Sequence, residues 1–371
     1  MNIPKKIKSS LTRPLTRFLK NLATNPKNYT AHKKRYLLDK SFGKKEFIPY
    51  IPDSFGIHIT FRCTLRCPAC LYLLKDENAF TGGMDMSLEK FNWILEKFKK
   101  DIKMVSIGGG EPTLHPQFSE IVRSVKSRNF RLGMSTNGTL ITKRISDLKH
   151  FDKINVSLDG VDYQSFKKLR NGTKEQYKNI IDGLHLLKNS KIPFNLSFLL
   201  FEENLFEINR ILEFAERLGP AVLNLHSGNP HGSQSWTPLV IDSPKVQNFL
   251  REILKRNDYS FSIKLPVVFN PNSKSFYKQS CPLLWQATDI HWNGDMAYCC
   301  HLKPDPKIGN IFHDYNFNNP QMVKFRKAMI DRKFSEDCLY CQRRFLNNFS
   351  GYFGGKNKKW FIPSIYEKFR P

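Results

Sequence analysis

Residues 57–70 read Ile-His-Ile-Thr-Phe-Arg-Cys-Thr-Leu-Arg-Cys-Pro-Ala-Cys. The β-branched and aromatic run Ile57–Phe61 predicts a strand that leads into a loop carrying Cys63, Cys67 and Cys70. Three thiolates within eight residues can wrap a soft metal centre. In a four-iron cluster they would occupy three irons. The next cysteine, Cys281, lies 211 residues further on, which leaves the fourth iron open to another ligand. Zinc is the competing reading, but zinc sites usually pair Cys-x2-Cys with a second such pair, and no fourth ligand is local here.

Outward from this stretch the chain alternates strand and helix. Helical spacing marks Met86–Lys100, Phe118–Arg128, Ile141–Phe151, Tyr177–Leu187, Leu205–Leu218 and Val246–Lys255. Between them lie apolar runs at Met104–Ile107, Phe130–Met134, Lys153–Leu158, Phe194–Phe201 and Ala221–Leu225. Gly219-Pro220 is a helix stop signal. Six strand–helix units imply a parallel sheet with helices outside, curled by right-handed crossovers. Six are too few for an eight-fold barrel, so the expected α/β fold is an open, partial (β/α)6 TIM-like barrel. Its chemistry belongs at the carboxyl ends of the strands. From about residue 261 the alternation is expected to break, giving way to a small, cysteine-rich C-terminal domain. The expected division is a basic extension over 1–50, a barrel over 51–260, a cluster-binding domain over 261–350 and a basic tail over 351–371.

The three-cysteine loop, with the motifs at later strand ends, resembles the radical SAM superfamily over about residues 54–235. Gly108-Gly109-Gly110-Glu111 after the second strand is similar to the family's GGE motif, whose carbonyls and Glu111 would receive the α-amino group of methionine. Ser135-Thr136-Asn137-Gly138 and Ser157-Leu158-Asp159-Gly160 resemble segments near the ribose and carboxylate of S-adenosylmethionine. Ser135, Asn137 and Ser157 are the residues expected there, with Gly109 and Gly110 beside them and Asp159 a candidate to face substrate. Many members carry an aromatic residue just before the third cysteine; here it is Ala69, and Leu71 or Tyr72 would take over the adenine contact. The resemblance implies a [4Fe–4S] cluster on Cys63, Cys67 and Cys70 that reductively cleaves S-adenosylmethionine. The resulting 5′-deoxyadenosyl radical would abstract hydrogen from substrate.

The remaining cysteines are Cys281, Cys299, Cys300, Cys338 and Cys341. Their spacing resembles the opening of the SPASM pattern, or its shorter twitch form, which implies one auxiliary [4Fe–4S] cluster on Cys281, Cys299, Cys338 and Cys341. Cys300 adjoins Cys299 and is an alternative ligand. A zinc knot with four cysteine ligands would also satisfy these residues. No cysteine follows Cys341, unlike in the GTP-cyclase relatives.

The net charge of +26 is concentrated at the ends. Residues 1–50 hold 13 Lys/Arg against two Asp/Glu, and residues 321–371 hold 12 against four. Such ends suit an anionic substrate or surface. Ile7, Leu11, Leu15, Phe18 and Leu22 would line one face of a basic helix on a membrane surface, although Pro14 opposes that helix. There is no apolar run of membrane-spanning or signal-peptide length, and clustered cysteines suit metal in a reducing compartment, so the cytoplasm is expected. A reduced donor such as flavodoxin or ferredoxin is the implied partner. Asn224, His226 and His231 are further candidates for substrate contact, whereas His58, Trp285, Trp292 and Tyr298 are expected to pack. Two other readings compete: a basic zinc protein that binds nucleic acid, and a non-catalytic iron–sulfur electron carrier. Neither accounts for the glycine motif or the six β/α units.

Overall fold

Strand β1 is Ser54–Thr60, and its residues alternate in role. Phe55, Ile57 and Ile59 are wholly buried against the helices, while Gly56 and His58 face an internal cavity. The same period of two recurs along β2 (Met104–Gly109), β3 (Arg131–Thr136), β4 (Lys153–Ser157), β5 (Asn195–Leu200) and β6 (Val222–Ser227). The computed structural model describes residues 37, 40–70, 72–73, 84–228, 236–255, 258–270, 272, 281–300, 302, 306–339, 341 and 352–354. The basic helix expected around Ile7–Leu22, His231 and the tail beyond 354 lie outside these residues.

The strands form one sheet in the order β10-β7-β6-β5-β4-β3-β2-β1-β8-β9. The parallel run is longer than the six strands expected. It continues through β7 (Ser262–Lys264) on β6, and through β8 (Ala287–Ile290) on the other side of β1. Antiparallel β10 (Tyr352–Gly354) and β9 (Met296–Ala297) finish the two edges, so the barrel is open. The alternation therefore does not stop at 261. Three residues of β7 are too few to announce a strand by period.

The helices cover the outer face. These are α1 (Leu88–Lys97), α2 (Phe118–Ser127), α3 (Ile141–Leu148), α4 (Tyr163–Arg170), α5 (Lys174–Asn189), α6 (Ile208–Leu218) and α7 (Pro244–Leu254). In α6 the buried set Ile208, Ile211, Leu212, Phe214, Ala215 and Leu218 is a single apolar face, and Gly219 ends the helix at φ 66°. The expected start at Leu205 is replaced by a 3-10 turn over Glu202–Glu207. Helix α4 lies outside the expected set, because only Phe166 and Leu169 of its eight residues are buried. Beyond the barrel come α8 (Leu283–Gln286), α9 (Pro320–Ile330) and α10 (Glu336–Leu339). Arg326 of α9 is fully buried and donates to the carbonyls of Leu284, Glu46 and Phe317, tying this region to the chain before β1.

Candidate active site

The inward side chains explain why the barrel holds a cavity of about 680 Å3 rather than a packed core. Gly56, Ser106, Gly108, Gly133, Ser135, Asn155, Ser157, Ser197 and Asn224 are small or polar and leave the axis unfilled. Cys63, Cys67 and Cys70 all open onto this cavity at the carboxyl ends of the strands. Burial pushes the Cys63 thiol up to about 11 and raises Cys70 as well. Grouped thiols held neutral by burial are ones that a metal would ionise.

The glycine–glutamate motif packs against the cysteine loop, with Gly109 and Gly110 lining the cavity. A side chain on Gly109, at φ 130°, would overlap the Thr60 carbonyl, and one on Gly110 would overlap that of Arg62. Gly110 N donates to Thr60 O (3.1 Å) and Glu111 N to Arg62 O (2.7 Å). Their close approach is thus to the cysteine loop itself. Glu111 is fully buried, not on the cavity wall. Its carboxylate accepts from the Thr113 amide and hydroxyl, the Thr136 hydroxyl (2.8 Å) and the Asn137 amide (2.7 Å). Burial raises its pKa against the pull of those bonds. In this structure the carboxylate joins β2 to the loop after β3.

Asn137 is also committed to the protein. Its Nδ2 donates to Thr64 Oγ1 (3.0 Å) and approaches Cys63 Sγ (3.8 Å), while its Oδ1 accepts from Thr139. Asn137 nonetheless lines the cavity together with Ser135 and Ser157, as do Ala69 and Tyr72. Leu71 lies outside the described residues.

Asp159 takes a left-handed backbone, φ 59°, and is 7% exposed. One oxygen accepts the Leu199 amide (2.6 Å) and the other pairs with Arg170 Nη2 (2.6 Å). Arg170 Nη1 donates to Cys67 Sγ (3.6 Å). Burial opposes the Arg170 cation, but Asp159 and Cys67 outweigh it, and its pKa is raised. Sequence reading missed Arg170. Its signal would have been the last residue of a short helix that begins with a capping box two residues past Asp159-Gly160.

The opposite wall is polar. Asn155 Oδ1 accepts from Ser197 Oγ (2.8 Å) and Asn224 Nδ2 (2.9 Å), and His226 Nε2 lies 3.4 Å from Ser197 Oγ. His58 is buried as expected, yet it lines the cavity. It stacks on His291 (centroids 4.5 Å apart), meets Tyr72 OH at 3.3 Å and Asp289 at 3.6 Å. Trp285 is buried and Tyr298 stacks on Phe325, as packing residues.

The second cysteine group separates in space. Cys281, Cys299, Cys338 and Cys341 line one narrow apolar pocket with Phe325 and Met329. Cys300 turns the other way and lines the barrel cavity.

Against known proteins, residues 57–215 match the radical SAM superfamily and residues 281–342 match SPASM, an iron-sulfur cluster-binding domain. The chain belongs to the radical SAM superfamily. Within it, the chain is one of the members that carry a SPASM domain. It is 26% identical over 335 residues to the antilisterial bacteriocin subtilosin biosynthesis protein AlbA of Bacillus subtilis, covering 88% of this chain and 71% of that protein. It is 29% identical over 184 residues to a probable GTP 3′,8-cyclase of Metallosphaera sedula. That match covers 48% of this chain and 57% of the cyclase, so the chain spans less than two thirds of that relative. The fold is similar to crystal structures of Streptococcus suis SuiB. The one bound to S-adenosylmethionine superposes with a TM-score of 0.61 at 14% identity, covering 97% of this chain and 87% of SuiB.

The two domains indicate [4Fe–4S] clusters and S-adenosylmethionine as cofactors. The residues present fit them. The three loop cysteines are soft donors on one cavity, and Arg170 Nε is a buried donor without a partner beside Cys67. The second pocket offers four cysteines and no hard ligand. Among the described residues no helix is long and apolar enough to cross a membrane.

Proposed function

We propose that this protein binds S-adenosylmethionine at a [4Fe–4S] cluster held by Cys63, Cys67 and Cys70 and takes a hydrogen atom from a substrate in the barrel cavity. The observation that carries this reading is the opening of all three cysteines onto one polar-walled cavity. When bound, the reduced cluster and S-adenosylmethionine supply a carbon radical strong enough to break a substrate C–H bond.

The chain's own residues bind, orient and exclude water. Gly109 and Gly110 seat the cysteine loop, and Glu111 and Asn137 hold it in register with β3. Ser135 and Ser157 offer hydroxyls to the ribose and carboxylate. Asn155, Asn224 and His226 offer amide and imidazole groups to substrate from the opposite wall. Cys281, Cys299, Cys338 and Cys341 would hold an auxiliary cluster, which would supply a one-electron relay toward substrate or a reduced flavodoxin- or ferredoxin-type donor. In this reading residues 51–260 form the barrel proper, and residues 261–350 add β7 and β8 to its sheet and supply the cysteines of the auxiliary site. A peptide substrate is favoured, because AlbA serves bacteriocin biosynthesis and SuiB has been crystallised with its precursor peptide SuiA. The basic ends suit acidic residues on such a peptide or an anionic surface, and cysteines clustered for metal rather than for disulfides support a cytoplasmic location.

The test is anaerobic reconstitution with iron and sulfide, followed by dithionite and S-adenosylmethionine. About eight irons per chain are expected, with 5′-deoxyadenosine formed by the wild type and absent in Cys67→Ala. Iron without 5′-deoxyadenosine, across a panel of candidate peptides, would sink the radical reading.

A further inference from the structure

We propose that Arg170 is a positioning residue that raises the reduction potential of the cluster on Cys63, Cys67 and Cys70, acting through its bond to the Cys67 sulfur and its pairing with Asp159. The inference rests on the reading that those cysteines carry the cluster.

Reduction adds one negative charge to a centre already ligated by thiolates. An N–H bond donated to a ligating sulfur, and a cation beside it, both favour the reduced state. Arg170 supplies both at once, with Nη1 3.6 Å from Cys67 Sγ. A guanidinium stays charged under all ordinary conditions. Its side chain is 17% exposed and that of Asp159 is 6%, so their fields are poorly screened. The second contact to the cluster cysteines, from Asn137 Nδ2 to Cys63, is neutral and longer at 3.8 Å.

The local backbone is built to hold this pair. Asp159, two residues past the end of β4, sits at φ 59°, and Asn171, directly after Arg170, at φ 49°. Asp and Asn adopt left-handed backbone at little cost, and Asn171 is the C-cap that ends α4 directly after Arg170, so these two turns set where the ion pair's residues stand. A side chain on Gly160 would overlap the Phe166 backbone, so α4 packs directly against the turn that carries Asp159. Asp159 holds Arg170 through one oxygen and is itself held by the Leu199 amide through the other. Its negative charge also moderates the effect of the cation.

The two charges predict shifts of opposite sign. The experiment is a redox titration of the reconstituted full chain, followed by electron paramagnetic resonance. The relevant cluster is the one whose signal changes when S-adenosylmethionine is added. In Arg170→Met the ratio of reduced to oxidised cluster at a fixed potential should fall about ten-fold, equivalent to about 59 mV for one electron. Arg170→Lys, which keeps the charge, should lie nearer the wild type. Asp159→Asn, which removes the opposing charge, should shift the potential upward. If Arg170→Met loses its iron, the lysine and asparagine variants still decide the sign. Unchanged potentials in the variants that keep their iron would overturn the proposal while leaving the cluster assignment intact. Wild-type protein that binds no iron at the three cysteines would instead overturn the cluster reading, and this inference with it.

Discussion

Glu111 shows how much structural work a single motif residue can carry. As sequence, Gly-Gly-Glu after the second strand resembles a ligand-binding segment. In the fold, the carboxylate lies behind the cavity wall and accepts from Thr113, Thr136 and Asn137. Replacing it by alanine would strand those donors, each in a buried setting. Glu111→Ala should lower stability by about 3 kcal/mol, given a cost of about 1–3 kcal/mol for each unsatisfied buried group. It should also reduce iron retention at the first site, because Asn137 braces the cysteine loop through Thr64. Urea unfolding and iron counts would measure both, and a variant with wild-type iron and stability would exclude the bracing role. The motif's presence was legible in the sequence. The direction of its carboxylate was not, because Thr136 and Asn137 come from a different strand end.

At the scale of the element, α4 is a short helix with only two buried residues, and it depends on its ends. Asp162 caps it, accepting the Ser165 amide at 2.8 Å, while Ser165 returns a contact to Asp162 N. That amide and Arg210 hold the Asp162 carboxyl down at about 2. The folded pKa therefore lies below the unfolded value of about 3.9. The stabilisation is present above about pH 4 and is lost as pH falls toward 2. Asp162→Ala should cost about 1 kcal/mol at neutral pH. Because Asp162 is largely solvated, little of that comes from the ion pair. Denaturant titrations of both proteins should show the gap narrowing below pH 4. A gap that stays constant down to pH 3 would show that the carboxylate charge is not the source. Since α4 carries Arg170, the variant also loosens the residue set against Cys67.

At the scale of the whole molecule, β8 pairs with β1 in parallel register, Ser54 opposite Ala287 and Ile57 opposite Ile290. The C-terminal segment is thereby a continuation of the barrel sheet. This seating brings Asp289 to His58 and turns Cys300 into the barrel cavity, while Cys299 joins the second cysteine pocket. The chain bends at Cys299 and turns at Cys300 just after β9, with Leu302 N donating to Cys299 O (3.1 Å), and in that turn the two adjacent identical residues meet different surroundings. Cys299→Ala should lose about four irons on reconstitution, whereas Cys300→Ala should keep the wild-type content. The reverse result would exchange the two assignments.

By itself, the sequence determined the parallel β/α alternation, the three-cysteine loop and the clustering of later cysteines. All three are properties of spacing along the chain: apolar residues at periods of two and 3.6, and thiols close enough in sequence to share one loop. Only the tertiary structure decided that the barrel is hollow, that the Glu111 carboxylate meets Thr113, Thr136 and Asn137, that Arg170 reaches Cys67 and that Cys300 faces the cavity. Each of these depends on side chains from different strands converging. Arg170 and Cys67 are 103 residues apart, and no local period records that meeting. The inward Gly, Ser and Asn of the strands are ordinary residues one by one, and they become a cavity only when the sheet curls around them.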